Sequence, residues 1–152
     1  STYTKPQLPE EAKENTEEGA EAAARYYLDL IVYAWNTGDT QPLADMSAPT
    51  SEFASSYVSD ISERYQNGWT YGSSATITYV LRIEPMAANG SDVPEGTVLT
   101  KFRFKSDNGT TCIGKRIFSS GESRTGTLSL LMTWTNGRWI ETQGRIVSDN
   151  EE

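Results

Sequence analysis

The sequence predicts an α+β domain: three N-terminal helices packed on a curved antiparallel sheet of about four to five strands. Three observations predict it. Apolar residues recur at three- and four-residue spacing up to Asn67, then at two-residue spacing from Trp69 onward, which are the periods of an amphipathic helix and a half-buried strand. Gly38 and Gly68 stand where helices of that pattern would stop, because glycine accepts the left-handed cap conformation. Asn108-Gly109 and Asn136-Gly137 interrupt alternating stretches, the strongest short-range hairpin signal.

Residues 1–15 read as a solvated linker, with Pro6 and Pro9 breaking regular structure and Glu10, Glu11 and Glu14 kept in water. The domain proper is expected over 16–147, followed by an acidic tail, 148–152. The first helix should run from about Thr16 to Asn36, capped by Asn15 or Thr16, with Glu17 and Glu18 at the positive end of its dipole. Ala20, Ala23, Ala24, Tyr27, Ile31, Ala34 and Trp35 form its apolar stripe. Asp39 or Thr40 can cap a short second helix holding Pro42, Leu43 and Met46. A third helix over Ser51 to Asn67 carries Phe53, Tyr57, Ile61 and Tyr65 on one face.

In the sheet half, Ile77, Tyr79, Leu81 and Ile83 alternate with Thr76, Thr78, Val80 and Arg82, which predicts a half-buried strand. A loop from Met86 to Gly96 follows. A hairpin at Asn108-Gly109 would pair Phe104 with Ile113 and Phe102 with Lys115, placing Phe102, Phe104, Ile113 and Ile117 on one side. Lys101, Arg103, Lys105 and Arg116 would then share the other. A hairpin at Asn136-Gly137 would pair Trp134 with Trp139 and Met132 with Glu141. Its apolar face would hold Leu128, Leu130, Met132, Trp134 and Trp139 together with Glu141 and Gln143. A slip of one residue would invert these faces.

Charge and composition narrow the chemistry. The net charge is −8, which opposes non-specific binding to nucleic acid. It is unevenly spread: residues 1–68 hold twelve acids and four bases, and residues 69–147 hold six acids and nine bases. The chain has no histidine and one cysteine, Cys112. Ser-His-Asp and Cys-His nucleophiles, His-ligated zinc and multi-cysteine metal sites are therefore excluded. No calcium-loop pattern is present, and no metal or cofactor is expected.

Thr37-Gly38-Asp39 with Leu43 behind a long amphipathic helix, and the closing hairpin Trp134-Thr135-Asn136-Gly137-Arg138-Trp139-Ile140, resemble the nuclear-transport-factor-2-like (cystatin-like) superfamily. That resemblance implies helices covering a curved sheet to enclose a cone-shaped cavity. A further set of matches, Leu8-Pro9-Glu10-Glu11-Ala12, Thr16, Gly19-Ala20, Arg25-Tyr26-Tyr27, Ser47-Ala48-Pro49, Tyr65 and Gly68, resembles an uncharacterised family of actinobacterial lipoproteins with that fold. It implies an extracytoplasmic protein anchored to the cell membrane by a lipidated cysteine ahead of this chain. Members often carry Cys-x-x-Cys at the start of the third helix, where this chain has Ser51 and Ala54, so a local disulfide is not expected.

Several residues are candidates for function. Glu141, against tryptophans, would have its carboxyl pushed up by desolvation, as suits a general acid or base. A solvated Glu141 at an open rim is the alternative. Tyr27, Tyr57, Tyr79, Trp134, Trp139 and Gln143 join it as pocket candidates, although helical spacing also fits Tyr27 and Tyr57 to an ordinary core. Lys101, Arg103, Lys105 and Arg116 form a basic surface that could meet an anionic partner or simply protect a sheet face. Asp39 reads as a helix cap and Cys112 as a thiol among positive neighbours. Asn89-Gly90-Ser91 and Asn108-Gly109-Thr110 match glycosylation sites but read as turns. The expected function is non-enzymatic binding of an unknown small molecule or envelope protein. The alternatives are an isomerase- or dehydratase-type enzyme using a pocket carboxylate, and a structural module forming a homodimer through its sheet.

Overall fold

The computed structural model describes residues 3–119 and 123–151; Ser1 and Thr2 of the expected linker and Glu152 of the expected tail lie outside them. Thr16 opens the first helix in extended conformation, and its Oγ1 accepts the Gly19 amide at 2.9 Å. That satisfies one of the donors a helix start leaves unpaired. The helix α1 spans Glu17–Thr37 and ends at Gly38, whose φ of +79° is the left-handed cap the sequence anticipates. The short α2 spans Gln41–Asp45, with Asp39 Oδ1 accepting the Gln41 amide. The third helix, α3, spans Glu52–Gln66 and is capped by Ser51, whose Oγ accepts the Ala54 amide at 3.1 Å.

Seven strands follow: β1 (Gly68–Tyr71), β2 (Ser74–Pro85), β3 (Thr97–Asp107), β4 (Thr110–Ile113), β5 (Arg116–Ser119), β6 (Ser123–Thr135) and β7 (Arg138–Ser148). They form two antiparallel sheets, ordered β2-β3-β6-β7 and β1-β4-β5. The α+β class with three helices thus holds, and the expected single sheet is replaced by two. The reason lies in β3. Its edges are occupied by β2 and β6 along its length, so the chain leaving Asn108-Gly109 cannot fold back onto it. It crosses instead to pair β4 with β1 and β5. The expected pairs Phe104–Ile113 and Phe102–Lys115 therefore do not form. Phe102 and Phe104 are buried, while Ile113 and Ile117 are exposed on the smaller sheet.

The second Asn-Gly turn behaves as predicted. Asn136 and Gly137 both take positive φ, +52° and +78°, as a two-residue hairpin turn requires. Trp134 pairs with Trp139 and Met132 with Glu141. The two indoles meet edge to face at 5.4 Å.

Bulges correct two expected faces. In β2, irregularities after Ile77 and after Val80 each insert a residue, so the inward positions become Ile77, Val80 and Ile83, spaced by three. Tyr79 is turned out and 65% exposed, and Leu81 is 40% exposed. In β7 an irregularity separates Glu141 from Gln143. Glu141 stays inward and Gln143 faces out.

The core lies between α1 and the larger sheet. Ala20, Ala23, Ala24, Tyr27, Leu30 and Ile31 meet Phe102, Leu128, Leu130 and Met132, all buried. Each large side chain removed from water there contributes about 1.5–3 kcal/mol. The N-terminal stretch lies along this body: Leu8 and Ala12 join the core, and Tyr26 donates its hydroxyl hydrogen bond to the Pro6 carbonyl.

Candidate functional site

A cavity of about 550 Å3 lies between α1, α3 and both sheets. Its floor is apolar because β3, β6 and β7 send Phe104, Leu128 and Ile146 inward, and α1 adds Leu28, Ile31 and Trp35. The β1–β4 pair presents Thr70 and Thr111 from the smaller sheet. At the far end stand Ser106, Asp107 and Arg124, with Tyr57 and Arg64 coming from α3.

Two guanidinium groups reach this cavity. Arg64 Nη1 donates to Thr70 Oγ1 at 3.1 Å and Thr111 Oγ1 at 3.2 Å, and its guanidinium lies 5.7 Å over the Trp35 ring. Arg124 is half-buried, and its side chain makes no hydrogen bond or ion pair among the described residues. Asp107 is the one acid of the wall among the described residues, and its Oδ1 accepts the Gly109 amide at 2.8 Å. Burial pushes the Tyr57 hydroxyl up to about 12, against the lowering pull of Arg124, so it remains a neutral donor at physiological pH.

Glu141 lies elsewhere. It is fully buried and borders no described cavity. Ser51 Oγ donates to its Oε2 at 2.8 Å, and the Tyr27 hydroxyl is 3.4 Å from Oε1. Its backbone amide donates to Met46 O and its carbonyl accepts from Ala48 N. Glu141 thereby fastens the α2–α3 loop to the outer edge of β7. Burial raises its pKa, and the Ser51 and Tyr27 hydrogen bonds oppose that rise. Burial, followed by the Glu141 charge, raises Tyr27 strongly.

Of the sequence-predicted pocket residues, only Tyr57 lines the 550 Å3 cavity. Tyr27 sits at Glu141. Trp139 is buried, and its Nε1 donates to Glu14 O; Trp134 packs against it. Tyr79 is exposed. Gln143 lines a second, open cleft of about 680 Å3 beside Phe53, Ser91 and Asp92, where its Nε2 donates to Asp92 O. That cleft carries two acids, Glu52 and Asp92, and no base. Lys101, Arg103 and Lys105 do share the outer face of β3, whereas Arg116 lies on β5 in the other sheet. Arg103 forks onto Asp149 and holds that carboxyl down to about 2. Cys112, on β4, is buried and away from those bases, its thiol donating to Gly114 O.

Sequence reasoning missed Arg64, Arg124 and Trp35 as partners in one cavity. Signals existed. Arg64 follows Tyr57 by seven residues, on the same helical face. Arg124 is in phase with Leu128, Leu130 and Met132 on β6.

Comparison with solved structures finds the same fold at low identity. The chain superposes on the intermembrane space region of the chloroplast protein ARC6 with a TM-score of 0.62 at 13% identity, covering 88% of this chain and 98% of that one. It matches the beta subunit of a benzoate 1,2-dioxygenase from Burkholderia mallei with a TM-score of 0.52 at 9% identity, over 86% and 91%. A weaker likeness, at a TM-score of 0.44 and 14% identity over 81% and 94%, is to an NTF-2 like protein of unknown function from Shewanella oneidensis. Comparison with curated protein sequences finds no match. Residues 4–144 match a family of unknown function, DUF6318, and the chain belongs to that family.

Proposed function

We propose that the chain is a non-enzymatic domain that binds a small molecule in the 550 Å3 cavity, and that it works outside the cytoplasm as the globular part of a lipid-anchored envelope protein. One observation carries the binding reading: the cavity joins an apolar floor to a few convergent polar groups, the usual make-up of small-molecule sites. The lipoprotein part is supported by the pattern Leu8-Pro9-Glu10-Glu11-Ala12 through Tyr65 and Gly68. No helix among the described residues is long and apolar enough to cross a membrane, so attachment would depend on the anchor. The same reading takes the fold as nuclear-transport-factor-2-like, with the cavity as the interior of the cone.

An isomerase- or dehydratase-type reaction at Glu141 has one point in its favour, the neighbouring Tyr27 hydroxyl. It has less support, because Glu141 is fully buried and lines none of the cavities described above.

The test is a thermal melt against a panel of small amphiphiles. A ligand of the native state raises Tm with its concentration. Ala75 lines the cavity, so Ala75→Trp should fill it and abolish the rise while leaving the fold intact by circular dichroism. A rise that survives the plug would put binding elsewhere and sink the proposal.

A further inference from the structure

We infer that the ligand of this cavity is an amphiphilic anion, an aliphatic body carrying one carboxylate or phosphate head that pairs with Arg124 and Arg64. The inference rests on the cavity being a binding site. It begins with a charge inventory. The chain carries a net −8, yet among the described residues the cavity wall holds two guanidinium groups against one carboxylate. That carboxylate, Asp107, is turned to the Gly109 amide and forms no ion pair among the described residues.

The two arginines are prepared differently. Arg64 is held in place by two threonine hydroxyls and by the Trp35 ring. A guanidinium has five N–H donors, and the bonds to Thr70 and Thr111 use Nη1 alone, so donors remain for a ligand. Arg124 is half-buried beside Leu128 and Phe104 with no hydrogen-bonding partner among the described residues. Removing a charge from water without a partner is costly, and an anion in the cavity would remove that cost. Planar guanidinium groups match carboxylate and phosphate oxygens in pairs. Leu28, Ile31, Leu128 and Ile146 offer nothing to hydrogen-bond, so the rest of the ligand must be apolar. The volume suits a small molecule rather than a polymer.

The experiment is isothermal titration of the chain with decanoate, decyl phosphate, decanol and decyltrimethylammonium, each below its micellar concentration and at one ionic strength. Decanoate or decyl phosphate should bind at one per chain, at least about tenfold more tightly than decanol, and the tighter of the two anions identifies the head group. The cation should bind most weakly. Arg124→Gln should weaken the anions about tenfold and leave decanol unchanged. The Arg124 side chain forms no hydrogen bond among the described residues, so this variant should fold; a melt checks it. Decanol binding as tightly as the anions would overturn the charge inference and leave the binding cavity standing. Binding of none of the four would remove the cavity reading as well.

Discussion

Around Glu141, four hydroxyl and carboxyl groups settle each other's protons. Ser47 Oγ lies 2.6 Å from Leu43 O, an acceptor only, so Ser47 donates there. The Tyr27 hydroxyl is shared between Ser47 Oγ at 2.7 Å and Glu141 Oε1, to which it donates at 3.4 Å. Desolvation, the largest effect, favours the neutral acid, and the Ser51 and Tyr27 hydrogen bonds oppose it only in part. A pKa raised by folding adds stability below the unfolded glutamate value and loses it as pH climbs through the folded one. Glutamine carries no charge to desolvate and can still accept from Ser51. Glu141→Gln should therefore be more stable than the wild type near neutral pH, with the difference closing as pH falls below about 4.3. Glu141→Ala, which removes the acceptor of the Ser51 hydroxyl and opens a buried cavity, should cost on the order of 2–4 kcal/mol. Urea melts across pH measure both; a Glu141→Gln variant less stable at neutral than at acid pH, relative to wild type, would reverse the assignment.

Elements show where local pattern suffices and where it does not. The helix limits were legible because caps and stops are local: Thr16, Gly38 and Ser51 each act within one turn of their own position. The Asn136-Gly137 hairpin was legible for the same reason, and with it the inward direction of Glu141. Strand faces beyond a bulge were not legible, because one inserted residue inverts every later side chain. Tyr79 and Gln143 both lie past such a point. The destination of β4 was not legible either, since it depends on β6 claiming the free edge of β3, a pairing distant in sequence. Spacing by three in β2 makes a direct prediction. Val80→Ala should destabilise by about 1–2 kcal/mol, and Leu81→Ser should stay within about 0.5 kcal/mol of wild type. Denaturant midpoints that show the opposite order would restore simple alternation.

On the scale of the whole molecule, the acidic helical half and the basic sheet half come together, and two arginines from different halves enter one cavity. Arg64 is one of only four bases in residues 1–68, and Arg124 comes from the far sheet. Neither is informative alone; their meeting requires α3 to pack across the mouth of both sheets, which no short window of sequence encodes. The buried carboxyl that drew attention in the sequence turns out to fasten a loop, and the chemistry suited to binding lies on the other side of the core. The most direct test of the cavity as the binding site is methyl NMR of the isoleucine- and leucine-labelled chain during a decanoate titration. The account predicts saturable shifts at Leu28, Ile31, Leu128 and Ile146, which line the cavity, with Ile113 and Ile117 on the exposed smaller sheet unmoved. Shifts centred on Ile113 and Ile117, with the four cavity residues silent, would contradict it.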